Sequence, residues 1–249
     1  MSMPYPAAGS STARAQAEPT WGLPDALVGW AAAFVFANVA GAVVLLAGGY
    51  QTREEIESAP LAWTMVSSLP IWIAFVAIAV FVAHTKGNGW IRDFHVSLKA
   101  IDVPVGIVAG VVAQFVLVPL ISFPILKLTG EDADDLSRSA QDLADKVHGA
   151  GGALLFLLVV GVVAPIAEEL FFRGLLFRAI EKRWNQWWAL GLSSAFFGLT
   201  HFQPLQFVAL TAAGAVFGIL VVRTGRLGPA IVAHMAFNIS TVVVLLWLS

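Results

Sequence analysis

Residues 149–183 read GAGGALLFLLVVGVVAPIAEELFFRGLLFRAIEKR. No charged side chain occurs between Gly149 and Ala167; then Glu168, Glu169 and Arg173 interrupt an apolar run that closes at Arg178, Glu181, Lys182 and Arg183. A bilayer core of about 30 Å needs about 20 predominantly apolar residues of helix, so this segment reads as one transmembrane helix carrying ionisable groups inside it. The pattern recurs outward along the chain. After Asp25 the charge-free stretches are 26–52, 58–83, 103–126, 149–167, 184–200, 202–222 and 227–249, the last interrupted only by His234. The fold expected is an all-α, polytopic membrane helix bundle of about seven transmembrane helices, with six to eight compatible with the shorter stretches.

Composition agrees with that reading. Of 249 residues 58% are hydrophobic and only 12% charged, against roughly 45–50% and about 25% in a soluble domain, so there is too little charge to cover a globule in water. A net charge of -2 and the lack of any basic run argue against nucleic acid as a partner. The absence of cysteine excludes disulfides, thiolate catalysis, iron–sulfur clusters and Cys-based zinc sites. Residues 1–20 are small, polar and Pro-containing and lack the apolar core of a signal peptide; they read as a disordered tail. Residues 21–249 form the membrane-embedded domain, with a motif-bearing core at 154–238.

Loop charges orient the bundle. Lys86, Arg92 and Lys99, then Arg178, Lys182 and Arg183, then Arg223 and Arg226 fall in alternate loops, while Glu54, Glu55 and Glu57 and the acidic segment from Glu131 to Asp145 fall between them. The positive-inside rule puts the N-terminus in the cytoplasm and the C-terminus outside a cell membrane that the chain crosses many times. Within 128–150, Leu136, Ala140, Leu143 and Val147 make a helical stripe opposite acidic positions, a segment expected to lie along the membrane surface. Its EDADD run lacks the spacing and glycine of a calcium loop. Gly106-xxx-Gly110 and Gly214-xxx-Gly218 suit close helix packing.

Polar residues inside apolar helices carry the functional signal, because each ionisable group at the bilayer centre costs on the order of 2.5–3.5 kcal/mol on insertion scales. Glu169 and Arg173 are four apart, acid first, and can form a buried ion pair. Glu168 points about 100° away and is left to hold a proton or a water. Phe197-Gly-Leu-Thr-His201 puts a histidine at the end of a short helix, and His234-Met-Ala-Phe-Asn238 puts a histidine and a carboxamide on one face. Glu168 and His201 together can deprotonate water, and His234 and Asn238 are donors suited to an oxyanion. No serine or cysteine nucleophile accompanies them; Ser193, Ser194 and Thr200 are expected to bond their own backbone. Singly, each group has a structural reading: a staple for Glu169 and Arg173, packing for a histidine, helix glue for Asn238.

In these residues the chain resembles the CAAX protease and bacteriocin-processing family (CPBP, or Abi), intramembrane glutamic endopeptidases whose motifs read EExxxR, FxxxH and HxxxN. The resemblance covers about 85 residues, from the helix entering Glu168 to Asn238. It implies a membrane bundle with a conical cavity and hydrolysis of a peptide bond by a glutamate-activated water. By motif position it implies Glu168 as general base, His201 as its partner on the water, His234 with Asn238 as the oxyanion hole, and Glu169 and Arg173 as structural supports, with no cofactor. The substrate implied is a membrane-associated peptide or protein, of the prenylated CAAX type in eukaryotic members. The Ala- and Val-rich chain looks bacterial, and a bacterium that does not prenylate proteins offers no such substrate.

The rival readings are a zinc-dependent, metalloendopeptidase-like membrane protease with Glu168, His201 and His234 as ligands, and a non-catalytic membrane immunity or scaffold protein. Zinc proteases of this kind place two histidines four apart on one helix, a spacing missing here. A proton-coupled transporter predicts inverted repeats, and none is visible.

Overall fold

The structure is a computed structural model describing residues 18–247. Among the described residues it is helical, with no strand. The longer helices are α1 (Leu23–Ala47), α2 (Leu61–Lys86), α3 (Asp102–Thr129), α4 (Ala133–Ala144), α5 (Gly149–Arg183), α6 (Gln186–Leu199), α7 (Phe207–Thr224) and α8 (Gly228–Trp247). Six of them, all but α4 and α6, are long and apolar enough to cross a membrane. Short helices at Arg53–Glu57 and Trp90–Asp93 lie in the loops. The stretch 184–200, expected as a full span, forms α6 of 14 residues, or about 21 Å at 1.5 Å per residue, too short alone for the bilayer core.

Polar contacts sort the loops to two ends. At one, Lys182 Nζ donates to the Pro19 and Trp21 carbonyls (2.6 and 2.7 Å), Trp21 Nε1 donates to Asp93 Oδ2 (3.0 Å), Lys86 pairs with Asp25, and Arg226 Nε donates to Asp102 Oδ2 (3.0 Å). The expected tail lies outside the described residues through residue 17, but Pro19 and Thr20 are tied to the bundle, Thr20 through the Lys86 carbonyl. At the other end Lys146 Nζ donates to the carbonyls of Glu57 (2.7 Å) and Ala59 (2.9 Å), and Gln206 Nε2 to that of Leu136 (2.6 Å). The α6 helix and the loop to Gln206 thus complete a passage from one end to the other.

The acidic segment is docked as well as amphipathic. The Asp132 side chain caps α4 by accepting from the backbone N–H of Asp134 and Asp135, both at 2.9 Å. Leu143, Ala144 and Val147 pack into a cluster with Leu61, Met65, Phe156 and Val242, so the α4 stripe faces protein.

Small residues set the close crossings. A Cβ on Gly110 would sit 2.1 Å from the Ala233 carbonyl oxygen and one on Gly106 2.8 Å from Val232 Cβ, which lets α3 lie directly against α8. Two helices widen into π-helical turns just before a proline: Ala113–Leu117 before Pro119 in α3, and Val159–Val163 before Pro165 in α5. A proline ring collides with the carbonyl four residues earlier and supplies no N–H, so the turn opens around residues 115 and 161. A third wide turn, Leu170–Leu176, follows the two glutamates, with Gly174 pressed under the Phe94 ring. The core around it is aromatic, built from Phe75, Phe171, Phe172, Phe197 and Phe217.

Candidate active site

Arg173 and Glu169 lie at the centre of that core with no exposed surface. Arg173 Nη1 donates to Glu169 Oε1 at 2.8 Å, the ion pair expected from their spacing, and Nη2 donates to the Gly214 carbonyl at 2.7 Å. The guanidinium carbon sits 4.7 Å from the Phe197 ring centre and 5.6 Å from that of Phe217. Gly214 makes this possible, since a Cβ there would meet Nη2 at 2.8 Å and Phe197 Cδ1 at 3.1 Å. Its partner in the motif, Gly218, instead accommodates Leu190.

Glu169 Oε1 is shared. His234 Nδ1, from α8, approaches the same oxygen at 2.9 Å, and the imidazole stacks on Phe217 with ring centres 4.6 Å apart. A carboxylate paired with Arg173 is an acceptor, so Nδ1 carries the hydrogen and Nε2 presents its lone pair. That lone pair faces Glu168: Nε2 is 3.7 Å from Glu168 Oε2. Glu168 keeps 15% side-chain exposure, against 4% for His234 and none for Glu169 and Arg173, so it is the most accessible member of the row. The row runs Arg173⁺, Glu169⁻, His234, Glu168⁻, with one formal negative charge in excess while His234 is neutral.

Glu168 has a second partner that the sequence reading did not single out. Trp72 Nε1, from α2, donates to Glu168 Oε1 at 3.1 Å. The only signal in the sequence is a tryptophan midway along an apolar helix, away from the interfacial positions this residue prefers.

His201 follows α6. Its Nδ1 lies 2.8 Å from the Phe197 carbonyl; a carbonyl only accepts, so Nδ1 donates and Nε2 is again the lone-pair nitrogen. Phe197 stands between the two imidazoles, 4.8 Å from His201 and 5.5 Å from His234 between ring centres. Among the described residues no hydrogen bond or ion pair joins His201 to Glu168. The next residue, Phe202, has φ +54°, a left-handed conformation that strains a bulky side chain.

Asn238, expected at the oxyanion, also has a partner in the backbone. In the wide turn of α5 the Ala164 N–H bonds the Val159 carbonyl, and residue 165, the next possible donor for the Val160 carbonyl, is proline. Asn238 Nδ2 donates to that orphaned carbonyl at 2.8 Å, satisfying a backbone group that lipid cannot. One amide hydrogen of Asn238 is therefore already engaged, and His234 in its neutral form offers Nε2 as an acceptor. Among the hydroxyls, Thr200 bonds the Phe197 carbonyl of its own helix, whereas those of Ser193 and Ser194 are buried without a hydrogen-bond partner among the described residues. Among the described residues no three His, Asp or Glu side chains gather in a metal-holding group.

Comparison with known proteins bears on this arrangement. Residues 150–240 match the family model described as type II CAAX prenyl endopeptidase Rce1-like, a stretch that contains every motif residue and stops short of Trp72. The chain is 26% identical over 199 residues to the Bacillus subtilis (strain 168) protein named Putative membrane peptidase YdiL, an alignment covering 79% of this chain and 77% of that one. No solved structure matches. Both similarities fit the CPBP family and a protease, and the six candidate spans fit a multi-pass membrane protein.

Proposed function

We propose that this chain is an intramembrane endopeptidase in which Glu168 acts as general base on the water that attacks a peptide carbonyl. The observation that carries the reading is the row Arg173–Glu169–His234–Glu168, fully buried at one end and partly exposed at Glu168. In the scheme, Glu168 accepts a proton from water as the water oxygen bonds the carbonyl carbon, and His201 Nε2 accepts a hydrogen bond from the same water. The proton passes across the 3.7 Å gap to His234 Nε2. The resulting imidazolium, held by Glu169 through Nδ1, becomes a donor to the oxyanion and then protonates the leaving amine as the C–N bond breaks. The free carboxylate and amine are the products. Asn238 holds α8 to the wide turn of α5, and its second amide hydrogen is left for the oxyanion.

The scheme uses no metal. The substrate class we infer is a membrane-associated peptide or protein carrying a hydrophobic group, of which a prenylated CAAX-type peptide is an instance; the description of the matching family supports it. The basic end of the bundle is taken as cytoplasmic, with the N-terminus inside and the C-terminus outside.

The test is cleavage of a farnesylated CAAX reporter peptide and of a quenched peptide pool by detergent-purified wild type, Glu168→Gln and His201→Ala, with and without chelator. Cleavage lost in both folded variants and kept in chelator is expected. Stoichiometric zinc with loss of activity in chelator, or full activity in Glu168→Gln, would overturn the scheme; a folded wild type inert on every peptide would favour a non-catalytic immunity or scaffold protein.

A further inference from the structure

The residue whose place in the site nothing above explains is Trp72. It lies in α2, outside the stretch matched by the family model. Counting from the ends of Leu61–Lys86, it stands about 17 Å along the helix from one end and about 21 Å from the other, in the middle of the span. An indole N–H left unpaired midway along a span is costly, so its hydrogen-bond partner fixes its orientation. That partner is Glu168 Oε1, at 3.1 Å. The ring is held from both sides along α2: Trp72 packs against the cluster of Leu61, Met65, Phe156 and Val159, and Phe75, one turn on, stacks on Phe171 with ring centres 4.6 Å apart.

Resting on the reading of Glu168 as general base, we propose that Trp72 is a positioning residue for the reaction: it pins one oxygen of the Glu168 carboxylate so that the other, Oε2, is the one presented to water and to His234. The N–H bond to a carboxylate oxygen is directional and holds that oxygen in place. With Oε1 occupied, the carboxylate cannot rotate to exchange its oxygens without breaking that bond, which leaves one basic lone pair directed at the site. The charged and titratable groups facing Glu168 are Glu169 and Arg173 on its own helix and His234 on α8; α2 contributes Trp72 and no charge, its His84 and Lys86 lying at the far end of the helix. His201 lies across the Phe197 ring.

The experiment measures kcat and KM on the peptide that wild type cleaves best, for wild type, Trp72→Phe and Trp72→3-benzothienylalanine, the last keeping the bicyclic shape with sulfur in place of the N–H. Loss of the hydrogen bond that aims the carboxylate should lower kcat about tenfold in both variants with KM little changed. A merely structural tryptophan would lower the folded fraction and leave kcat per folded molecule at the wild-type value, and the benzothienyl variant keeps the packing if phenylalanine does not. A wild-type kcat in a folded benzothienyl variant, beside an inactive Glu168→Gln, overturns this inference alone. Full activity in Glu168→Gln overturns the base assignment and this inference with it.

Discussion

Replacing Asn238 by alanine separates two roles that sequence patterns alone cannot distinguish. The Val160 carbonyl has lost both of its possible helical donors, Ala164 because its N–H bonds Val159 and residue 165 because it is proline, so the Asn238 amide at 2.8 Å is its partner. An unsatisfied buried carbonyl costs about 1–3 kcal/mol, and side-chain hydrogen bonds measured inside membranes run from about 0.6 to about 2 kcal/mol. We take about 1–2 kcal/mol, which at about 2–4 °C per kcal/mol for a chain of this size lowers Tm by about 2–8 °C. The decisive comparison is a double-mutant cycle with Pro165→Ala, which restores an N–H at the one position where it can reach the Val160 carbonyl. In that background Asn238→Ala should be milder by about 1 kcal/mol, and any cavity left by the amide cancels because it is common to both arms. The assays are thermal unfolding in detergent and peptide cleavage on the same preparations. Equal Tm losses in both backgrounds would refute the capping argument. So would a Tm unchanged by Asn238→Ala together with a kcat fall of about 10²–10³-fold, the size of effect of an oxyanion donor.

Other outcomes follow from the same geometry. Arg173→Met leaves Glu169 charged and unpaired in a dry core and should cost about 3–5 kcal/mol, with Glu169→Gln added to it recovering much of the loss; a Tm shift of under about 2 °C in the single variant would contradict the burial. Glu169→Gln alone removes the anion that holds the His234 Nδ1 hydrogen and should lower kcat by about 10²–10⁴-fold with little change in KM, read by steady-state kinetics. Outside the spans, the backbone N–H groups of Thr52 and Gln51 hold the Glu55 carboxyl below its ordinary value. A depressed folded-state value contributes stability that is present above the unfolded value and lost as pH falls through the folded one. The Tm advantage of wild type over Glu55→Gln should therefore vanish between about pH 5 and about pH 3, and a difference that persists at the lower pH would count against it.

The spans were legible because charge cannot be placed cheaply in lipid: the charge-free stretches mark α1, α2, α3, α5, α7 and α8, and the Glu169–Arg173 pair follows from one turn of helix. What was not legible depends on which helices touch. That His234 shares Glu169 Oε1 with Arg173 requires α8 to cross α5 at one height, and the lone-pair direction of His201 Nε2 depends on a backbone carbonyl, Phe197, which has no side-chain signature. The same blindness hid the docking of α4, whose neighbours Lys146 and Gln206 reach main-chain oxygens. The backbone partner of Asn238 was equally hidden, because the orphaned Val160 carbonyl exists only once Pro165 has opened the turn, and a regular helix drawn through 159–165 has no such vacancy.

The wide turn at Val159–Val163 also sets the phase of α5. A π-helical turn holds one more residue than an α turn, so everything after it is rotated by about 100° against everything before it. Phe156, upstream, is locked between Leu61 and Met65 of α2 and Val242 of α8, while Glu168, downstream, meets Trp72 of α2 and His234 of α8. The same two neighbouring helices thus grip α5 above and below the inserted residue. Deleting one residue from that turn would force a choice: either Glu168 swings off its two partners, or Phe156 swings out of its pocket into lipid. Chain length between 156 and 168 thus fixes the bearing of the Glu168 carboxylate, and only a compensating insertion within the same twelve-odd residues would restore it.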